Sequence, residues 1–344
     1  MIFEPLRTER LLLRPMRTDD AVSIADRRSD PDVARYQNWT TPYPLERAQT
    51  MVDEIVAMDG PTDGEWWMLT IADPDDSTIL GDLVVHLTWQ GRTAEIGYTL
   101  ARDSWGNGYA VEAATELVRY LFDDLVVTRI EAMLHPDNPA SAMVLERIGM
   151  RFEGHTRASF WLGDDNSDDW IYGMTRADWD MWRDRPRHTP TMVRFIEITT
   201  DNFVEVGRLS THRSQQRFVS SVHASFADAM FPEVVDGAPL VPWMRAIEAD
   251  DELVGFVMVA LTTEAHPEPY LWRLLVDRMH QRRGIGRAAL DLLVEQCRAW
   301  GDRSLLTSWT PGKGSPEPLY LDLGFVPTGE IVDGETEGRF TFES

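Results

Sequence analysis

Residues 105–110 read Trp105-Gly106-Asn107-Gly108-Tyr109-Ala110, and residues 283–288 repeat the same kind of turn as Arg283-Gly284-Ile285-Gly286-Arg287-Ala288. Each turn opens a segment whose apolar residues have helical spacing. Each half then closes on a second signature, Leu145-Glu146-Arg147-Ile148-Gly149-Met150 in one and Leu319-Tyr320-Leu321-Asp322-Leu323-Gly324-Phe325 in the other. The closing glycine follows the first glycine of the turn by 43 residues in the first half and by 40 in the second. This order, occurring twice, predicts a duplicated fold.

The predicted strands and helices are duplicated in the same way. In each half, hairpin-length turns join the early strands, whereas a helix crosses between the later ones. The pattern therefore predicts α/β domains, each with a central mixed sheet flanked by helices. We predict a first domain over residues 1–182, a charged linker with two prolines over 183–191, and a second domain over 192–344.

The composition is that of a globular protein, with 43% apolar residues and a net charge of −24 in 344 residues. So acidic a surface argues against a nucleic-acid partner and favours a cationic small molecule, although a general acidic bias explains it equally well. No apolar run is long enough for a membrane span, and the charged start of the chain predicts no signal peptide. The histidines show no metal-ligand spacing, so we predict no metal.

Cysteine usage favours a reducing compartment. Cys297 is the single cysteine, so no internal disulfide can form and the cytoplasm is the expected location. It shares one helical face with Leu290, Leu293 and Val294, which favours core packing over a nucleophilic role.

The glycine turns have the features of phosphate-binding sites. A glycine-rich turn before a helix gathers free backbone N–H groups at the positive end of the helix dipole, and glycine lets a ligand approach the backbone. The stretch Gly284-Ile285-Gly286-Arg287-Ala288-Ala289 also fits a dinucleotide-binding pattern. Two observations exclude that alternative: the turn lies far into its half instead of after the first strand, and the other copy has Val111 at the third glycine position.

These residues resemble the GNAT acetyltransferases, whose signature Gln/Arg-x-x-Gly-x-Gly/Ala holds the diphosphate of acetyl-CoA. The stretch Gln281-Arg282-Arg283-Gly284-Ile285-Gly286 matches it fully, whereas Asp103-Ser104-Trp105-Gly106-Asn107-Gly108 has Asp at its first position. The first half resembles the RimJ/RimL branch through Thr8–Arg14, Glu95–Tyr98 and Asn138–Ser141. The second half resembles polyamine acetyltransferases of the BltD/PaiA kind through Gln216–Val219, Gly255–Met258 and Leu319–Glu330.

The resemblance implies acetyl-CoA as acyl donor and transfer of the acetyl group to an amine. It also implies a backbone N–H of the strand before the glycine turn as a donor to the thioester oxygen. The residues expected to contact the acyl donor are Trp105, Gly106, Asn107, Gly108, Tyr109, Ala110 and Asn138 in the first half, and Leu275, Val276, Gln281, Arg282, Arg283, Gly284, Ile285, Gly286 and Arg287 in the second.

The reaction needs a proton donor for the departing thiolate. In the second half Tyr320 stands where the family keeps this acid; the alternative is a tyrosine that packs the helix against the sheet. The first half has Leu145 at that place, so no phenol is expected there. The resemblance to the RimJ/RimL branch offers Ser141 instead, with Asn138 on the pantetheine arm, and the alternative for Ser141 is an ordinary helix-start residue.

The reaction also needs a base, because an alkylamine with a pKa of about 10.4 is protonated at neutral pH. Glu95, on the strand before the first turn, is the candidate in the first half, with an ion pair to an Arg as the alternative. In the second half Glu264, Asp277 and a water molecule remain open. Acidic and aromatic residues alternate over 161–170 in the terminal hairpin, where they either hold an amine cation or form a solvated tip.

The sequence thus predicts a cytoplasmic, acetyl-CoA-dependent N-acetyltransferase acting on a primary amine, in the first place a small polycationic amine. The alternatives are a protein or peptide N-terminus, an amine-bearing antibiotic, or catalysis by the second domain alone with the first as a binding or structural module. The oligomeric state stays open.

Overall fold

A computed structural model describes residues 2–235 and 237–342. The chain divides into two compact units, Met1–Asp184 and Arg185–Ser344. The division falls inside the predicted linker of residues 183–191, and the predicted domain ends at positions 1 and 344 lie outside the described residues. The last helix of the first unit runs to Asp184, so the first two residues of the predicted linker are helical.

The first unit alternates short hairpin-linked strands with helices that cover the sheet. Its elements are β1 (Leu6–Arg7), β2 (Leu12–Pro15), α1 (Asp20–Ser29), α2 (Pro31–Ala34), α3 (Leu45–Val56), β3 (Trp66–Ala72), β4 (Ile79–Thr88), β5 (Thr93–Leu100), α4 (Tyr109–Arg119), β6 (Arg129–Leu134), α5 (Pro139–Arg147), β7 (Arg151–Leu162), β8 (Asp165–Thr175) and α6 (Arg176–Asp184).

These strands form one mixed sheet in the order β1-β2-β3-β4-β5-β6-β8-β7. Only β5 and β6 are parallel neighbours within it; the other pairs are antiparallel. A parallel neighbour requires a crossover, which α4 supplies after the first glycine turn. The sheet confirms the predicted mixed α/β class.

The second unit repeats this order. Its elements are β9 (Val193–Ile196), α7 (Phe203–Arg208), α8 (Val222–Met230), β10 (Val234–Val235), β11 (Ala238–Pro239), β12 (Pro242–Ala249), β13 (Glu252–Ala260), β14 (Tyr270–Val276), α9 (Ile285–Trp300), β15 (Ser304–Trp309), α10 (Glu317–Leu323), β16 (Val326–Val332) and β17 (Glu335–Thr341).

The main sheet of the second unit has the order β16-β17-β15-β14-β13-β12-β9, and its parallel pair is β14–β15. Helix α9 makes this crossover and buries the apolar face that its sequence spacing predicts, including Leu290, Leu293 and Cys297. Burial raises the pKa of the Cys297 thiol to about 12. The side chain therefore stays a neutral thiol in the core, as expected from its spacing.

The closing glycine of the first half allows a buried ring to approach the backbone. Gly149 adopts φ +98°, and a Cβ on it would lie 2.3 Å from Cγ of the buried Trp182 in α6. We expect Gly149→Ala to lower the free energy of unfolding of the first unit by about 2–5 kcal/mol, because backbone strain and overpacking add. Urea unfolding followed by tryptophan fluorescence measures this loss.

Gly91→Ala is the matched control. Gly91 adopts φ +73°, but no heavy atom lies within 4 Å of an added Cβ, so only the left-handed backbone costs energy, about 1–2 kcal/mol. Equal losses in the two variants would contradict a steric role for Trp182.

Candidate active site

The parallel strand pair of each sheet separates after a short stretch of pairing. In the first unit β5 and β6 pair from Thr93 with Arg129 to Glu95 with Glu131, although β5 continues to Leu100. In the second unit β14 and β15 pair only at Tyr270 with Leu306 and Leu271 with Thr307, although β14 continues to Val276. Beyond these points the two strands of each parallel pair are no longer hydrogen-bonded to each other, and we call this region the wedge of the sheet. The edge of β5 or β14 that faces it has backbone groups without a strand partner there, which can bind a ligand.

The first glycine turn follows β5. Gly106 and Gly108 both adopt φ +80°, and α4 begins at Tyr109. The bond from the Glu112 N–H to Gly108 O, 3.1 Å long, starts the helical ladder, so the N–H groups before it have no helical acceptor. An added Cβ on Gly106 would meet no heavy atom within 4 Å, which leaves the turn open to a ligand. Trp105 and Asn107 brace the turn from within through bonds to Leu100 O and to Ser104 O.

The second glycine turn has the same backbone conformation, but its side chains make different hydrogen bonds. Gly284 adopts φ +81°, α9 begins at Ile285, and Ala288 donates to Gly284 O at 3.1 Å. Gln281 donates inward to Val276 O at 3.0 Å and exchanges hydrogen bonds with Gln215. Arg283 is only 3% exposed and donates to His188 O at 2.9 Å. Of the predicted side chains before Gly284, only Arg282 is exposed, with φ +65°.

Several other predicted contact residues have structural roles. Gly286 lies inside the first turn of α9, where a Cβ would be 3.6 Å from Leu319 of α10. Arg287 is exposed and donates weakly to Asp322 O at 3.4 Å. Asn138 caps α5, since its Oδ1 accepts from the Ser141 N–H at 3.1 Å. Leu275 is buried and Val276 half-buried at the end of β14, beside the wedge.

Ser141 lies in the first turn of α5 and meets a phenol that the sequence analysis did not assign. The Tyr98 hydroxyl on β5 lies 2.9 Å from Ser141 O and 2.9 Å from Ser141 Oγ. Burial raises the pKa of Tyr98, which keeps the phenol protonated at neutral pH. Position 145 holds a leucine, as the sequence shows, but a phenol from β5 lies beside Ser141. The stretch Glu95–Tyr98 contained the signal, but only the pairing of β5 with α5 brings the hydroxyl to Ser141.

Glu95 stands where β5 and β6 separate. Burial is the main cause that raises its pKa above the ordinary value for Glu, and the negative charges of Glu131 and Asp169 act in the same direction, whereas His86 opposes them. Within residues 2–235 and 237–342 no Arg or Lys nitrogen lies within ion-pair distance of its carboxylate. The ion-pair alternative is thus not what the structure shows, and the carboxyl of Glu95 holds its proton to a higher pH than an ordinary Glu does.

A cavity of about 1130 Å³ lies inside the first unit, over one face of the sheet. Side chains alternate along a strand, so every second residue of β3, β4 and β5 contributes to its floor. The floor residues are Trp66, Met68, Asp82, Val84, Glu95, Gly97 and Thr99. The walls come from α1, from the segment between α2 and α3, from α3, and from the β7–β8 hairpin.

Carboxylates outnumber cations on this lining. The acidic residues are Glu54, Glu65, Asp82, Glu95, Asp165 and Asp169, and the basic ones are Arg28 and Arg35. Asp82 forms a buried ion pair with Arg27, which neutralises it. The aromatic rings of Tyr36, Trp39 and Phe160 stand in the walls, and that of Trp66 in the floor. Negative charge and ring faces together suit an amine cation.

The acidic residues of the hairpin segment 161–170 differ in what they contact: some line the cavity, and one stabilises the hairpin. Asp165 and Asp169 line the cavity. Asp168 does not; it binds His155 at 2.8 Å and the Ala158 N–H at 2.9 Å, which braces the hairpin. Part of the acidic run is therefore placed to hold a cation, and part only stabilises the turn.

Tyr320 of the second unit has the packing role that its position allowed, and its role as a proton donor stays a prediction. Its ring is 6% exposed and packs between Trp309, at 5.6 Å, and Phe325, at 5.4 Å. Burial raises the pKa of Tyr320 to about 12, while a hydrogen bond to the Thr307 side chain opposes this. Thr307 belongs to the last parallel pair before the wedge, so the protonated phenol lies at its apex.

Two candidate bases of the second unit, Asp277 and Glu264, differ in their surroundings, and neither is assigned as the base. Asp277 accepts from the Ser210 and Met279 N–H groups, both at 2.9 Å, which gives its carboxylate a structural role. Glu264 is exposed on the loop between β13 and β14. Among residues 2–235 and 237–342, no cluster of His, Cys, Asp or Glu is arranged to hold a metal, and none of the helices there is long and apolar enough to cross a membrane.

Comparison with known proteins places both halves in one family. A family model described as acetyltransferase (GNAT) domain matches residues 10–151, and one described as acetyltransferase (GNAT) family matches residues 207–325. The uncharacterized N-acetyltransferase p20 of Bacillus licheniformis is 36% identical over 156 residues, which cover 45% of this chain and 86% of that protein. The uncharacterized N-acetyltransferase YoaA of Bacillus subtilis is 31% identical over 176 residues, or 51% of this chain and 98% of YoaA. The ribosomal protein uS5-alanine N-acetyltransferase of Escherichia coli is 24% identical over 183 residues, or 51% of this chain and 92% of that enzyme.

Proposed function

Because this chain belongs to the GNAT acetyltransferase family and carries two such domains, it is an acetyl-CoA-dependent N-acetyltransferase, and we propose that its acceptor is a small polycationic amine bound in the cavity of the first unit. The observation that carries the proposal is the position of Glu95, a carboxylate with a raised pKa on the floor of an acidic and aromatic cavity, at the point where β5 and β6 separate. We further propose a cytoplasmic location, in keeping with the single buried Cys297.

Acetyl-CoA fits the features around the first wedge. The open turn at Gly106 and Gly108 offers N–H groups to a diphosphate, and the unpaired edge of β5 lies between that turn and the cavity floor. Acetyl-CoA supplies the acetyl thioester. A backbone N–H on the β5 edge is the donor for the thioester oxygen, where negative charge develops.

Two different side chains of the first unit carry the proton transfers of the reaction. Glu95 accepts a proton from the bound ammonium group, since an amine that keeps its proton has no lone pair for attack. As the C–S bond breaks, Ser141 Oγ gives its proton to the departing sulfur and takes in return the second amine proton, from the nitrogen of the tetrahedral adduct. Tyr98, bonded to Ser141, fixes the direction of that hydroxyl. In the second unit we propose Tyr320 as the corresponding acid.

The remaining carboxylates of the cavity favour a second positive charge on the acceptor. Four cavity carboxylates form no ion pair with an Arg within the described residues: Glu54, Glu65, Asp165 and Asp169. The guanidinium of Arg28 stacks on the Trp39 ring and donates to the Tyr43 hydroxyl. An acceptor with several ammonium groups replaces water at these carboxylates without burying a lone charge. A flexible linear polyamine has this chemistry.

The experiment is a thiol-release assay with acetyl-CoA and three acceptor classes: linear polyamines, aminoglycosides, and peptides with a free N-terminus. We expect the highest kcat/KM with a linear polyamine. Asp165→Asn is expected to raise the KM for that amine by about twofold to fivefold, which is the upper part of the range for one exposed ion pair.

Asp164→Asn is the control, because Asp164 is the neighbouring hairpin carboxylate and does not line the cavity. An unchanged KM in both variants would remove the hairpin from acceptor binding. Turnover restricted to peptides would instead favour acetylation of a protein N-terminus, the activity for which the Escherichia coli relative is named.

A further inference from the structure

The first glycine turn is contacted by an arginine from a distant segment of the chain. Arg10 lies just before β2, and its NH1 donates to Asn107 O at 3.0 Å. Its NH2 is 3.5 Å from the place where a Cβ of Gly108 would lie, and its Cζ is 5.0 Å from the centre of the Tyr109 ring. The guanidinium therefore spans the turn from Asn107 to the start of α4.

Glu112 in the first part of α4 holds the guanidinium in this position. Its Oε2 accepts from Arg10 Nε at 2.7 Å and from NH2 at 2.6 Å, and its Oε1 accepts from the Arg10 N–H at 2.9 Å and from the Thr8 hydroxyl. Without Arg10 this carboxylate would be an uncompensated negative charge beside a turn built for an anion. Arg10 removes that repulsion and is prevented from moving away.

The guanidinium retains donors for a further acceptor. Arginine has five N–H groups, and the contacts within the described residues use Nε, one N–H of NH1 and one N–H of NH2. One N–H on each terminal nitrogen remains, and the Arg10 side chain is 47% exposed. Two adjacent N–H groups on a rigid planar fork match two oxygens of a phosphate.

The first glycine turn also has a negatively charged residue shortly before its first glycine. Position 103, three residues before Gly106, holds Asp103, whereas the second unit has Gln281 at the matching place. We propose that Arg10 is a phosphate-binding residue of the first unit, which supplies a cationic donor to the diphosphate of the acyl donor at a turn whose own position 103 is negatively charged. This inference rests on the proposed function, because it assumes that the first turn holds the acyl donor.

The test compares two acyl donors in the full-length protein: acetyl-CoA and S-acetylpantetheine, which has the thioester but no diphosphate. The rate considered is the part of amine acetylation that Glu95→Gln abolishes, so that it belongs to the first unit. Arg10→Gln is expected to raise the KM for acetyl-CoA by about 10- to 100-fold, the range for a charged hydrogen bond, with kcat changed little. With S-acetylpantetheine kcat/KM is expected to stay within about twofold.

Arg7→Gln is the matched control, since Arg7 is an exposed arginine of the same segment that donates to Pro74 O and not to the turn. Arg10→Lys keeps a charge beside Glu112 but loses the fork, and it provides the same donor comparison with an intermediate KM should Arg10→Gln not fold. Equal losses with both donors would show a purely structural role and overturn the proposal, as would an unchanged KM for acetyl-CoA. Absence of any Glu95-dependent rate in the wild type would instead contradict the proposed function.

Discussion

Glu95→Gln, introduced into Tyr320→Phe so that the rate belongs to the first unit, is expected to lower kcat/KM for amine acetylation by about 10²–10⁴-fold, the range for loss of a general base. The glutamine has nearly the same size and hydrogen-bonding reach, but it cannot accept the ammonium proton. Because the change removes a group needed for the chemical step, we expect the loss in kcat and little change in the KM for acetyl-CoA. Initial rates of thiol release over a range of both substrates measure the two constants.

The raised pKa of Glu95 sets the direction in which kcat/KM changes with pH. The pKa of Glu95 is raised, so wild-type kcat/KM is expected to fall as the pH drops through a value above the ordinary pKa of Glu, because the base becomes protonated. This acid limb should be missing from the residual rate of Glu95→Gln. Folding stability carries the opposite sign. The folded state holds the Glu95 proton more tightly than the unfolded chain, so this contribution is present at low pH and is lost as the pH rises through that window. Glu95→Gln should therefore unfold at a higher temperature than the wild type at pH 8.

Glu131→Gln is the control for Glu95. Glu131 is ion-paired with Arg129 at 3.1 Å, and its charge helps to raise the pKa of Glu95. Its substitution should move the acid limb to lower pH while most of the rate survives. A rate in Tyr320→Phe that is unchanged when Glu95→Gln is added would exclude Glu95 as the base and leave the proton to a water molecule.

Tyr320→Phe is expected to lower the turnover of the second unit by about 10²–10⁴-fold, because the departing thiolate loses its proton donor. The measurement is made in the Glu95→Gln background, so that the residual rate belongs to the second unit. The fold should tolerate the change. Thr307 Oγ1 still donates to Leu271 O at 3.2 Å, and one lost hydrogen bond costs about 1 kcal/mol.

Tyr270→Phe tests whether any phenol on this sheet has the same effect. The Tyr270 hydroxyl is half-buried on β14 and donates to Ser308 Oγ at 2.6 Å, so its removal also costs one hydrogen bond. We expect less than about a threefold change in the residual rate, given a hydrogen bond of ordinary strength. A residual rate that is equally high with and without the Tyr320 hydroxyl would leave the ring of Tyr320 with its packing role only.

The glycine turns show how far local sequence information reaches. Gly106, Gly108 and Gly284 adopt positive φ, a backbone that side chains with a Cβ rarely take, so the residue type itself indicates the turn. The helices after the turns were predictable for a similar reason, since apolar spacing in one segment defines one buried face. Cys297 followed from the spacing of α9 alone.

The members of the site that were missed depend on pairing between distant segments. Tyr98 and Ser141 are 43 residues apart and meet only because β5 lies beside the start of α5. Arg10 reaches the first turn across 97 residues, from Arg10 to Asn107. Nothing in the local pattern of either partner encodes such contacts, because they follow from strand order and register.

By itself, then, the sequence determined the duplication, the mixed α/β class, the position of each glycine turn and the family, because these rest on backbone preferences and spacing within short segments. The tertiary structure alone decided that β5 and β6 pair over three residues before they separate, that Glu95 is half-buried near Glu131 and Asp169, and that Arg10 and Tyr98 reach Asn107 and Ser141. The reason is physical: burial, and with it a raised pKa, is a property of the packed neighbours of a residue and not of the residue itself.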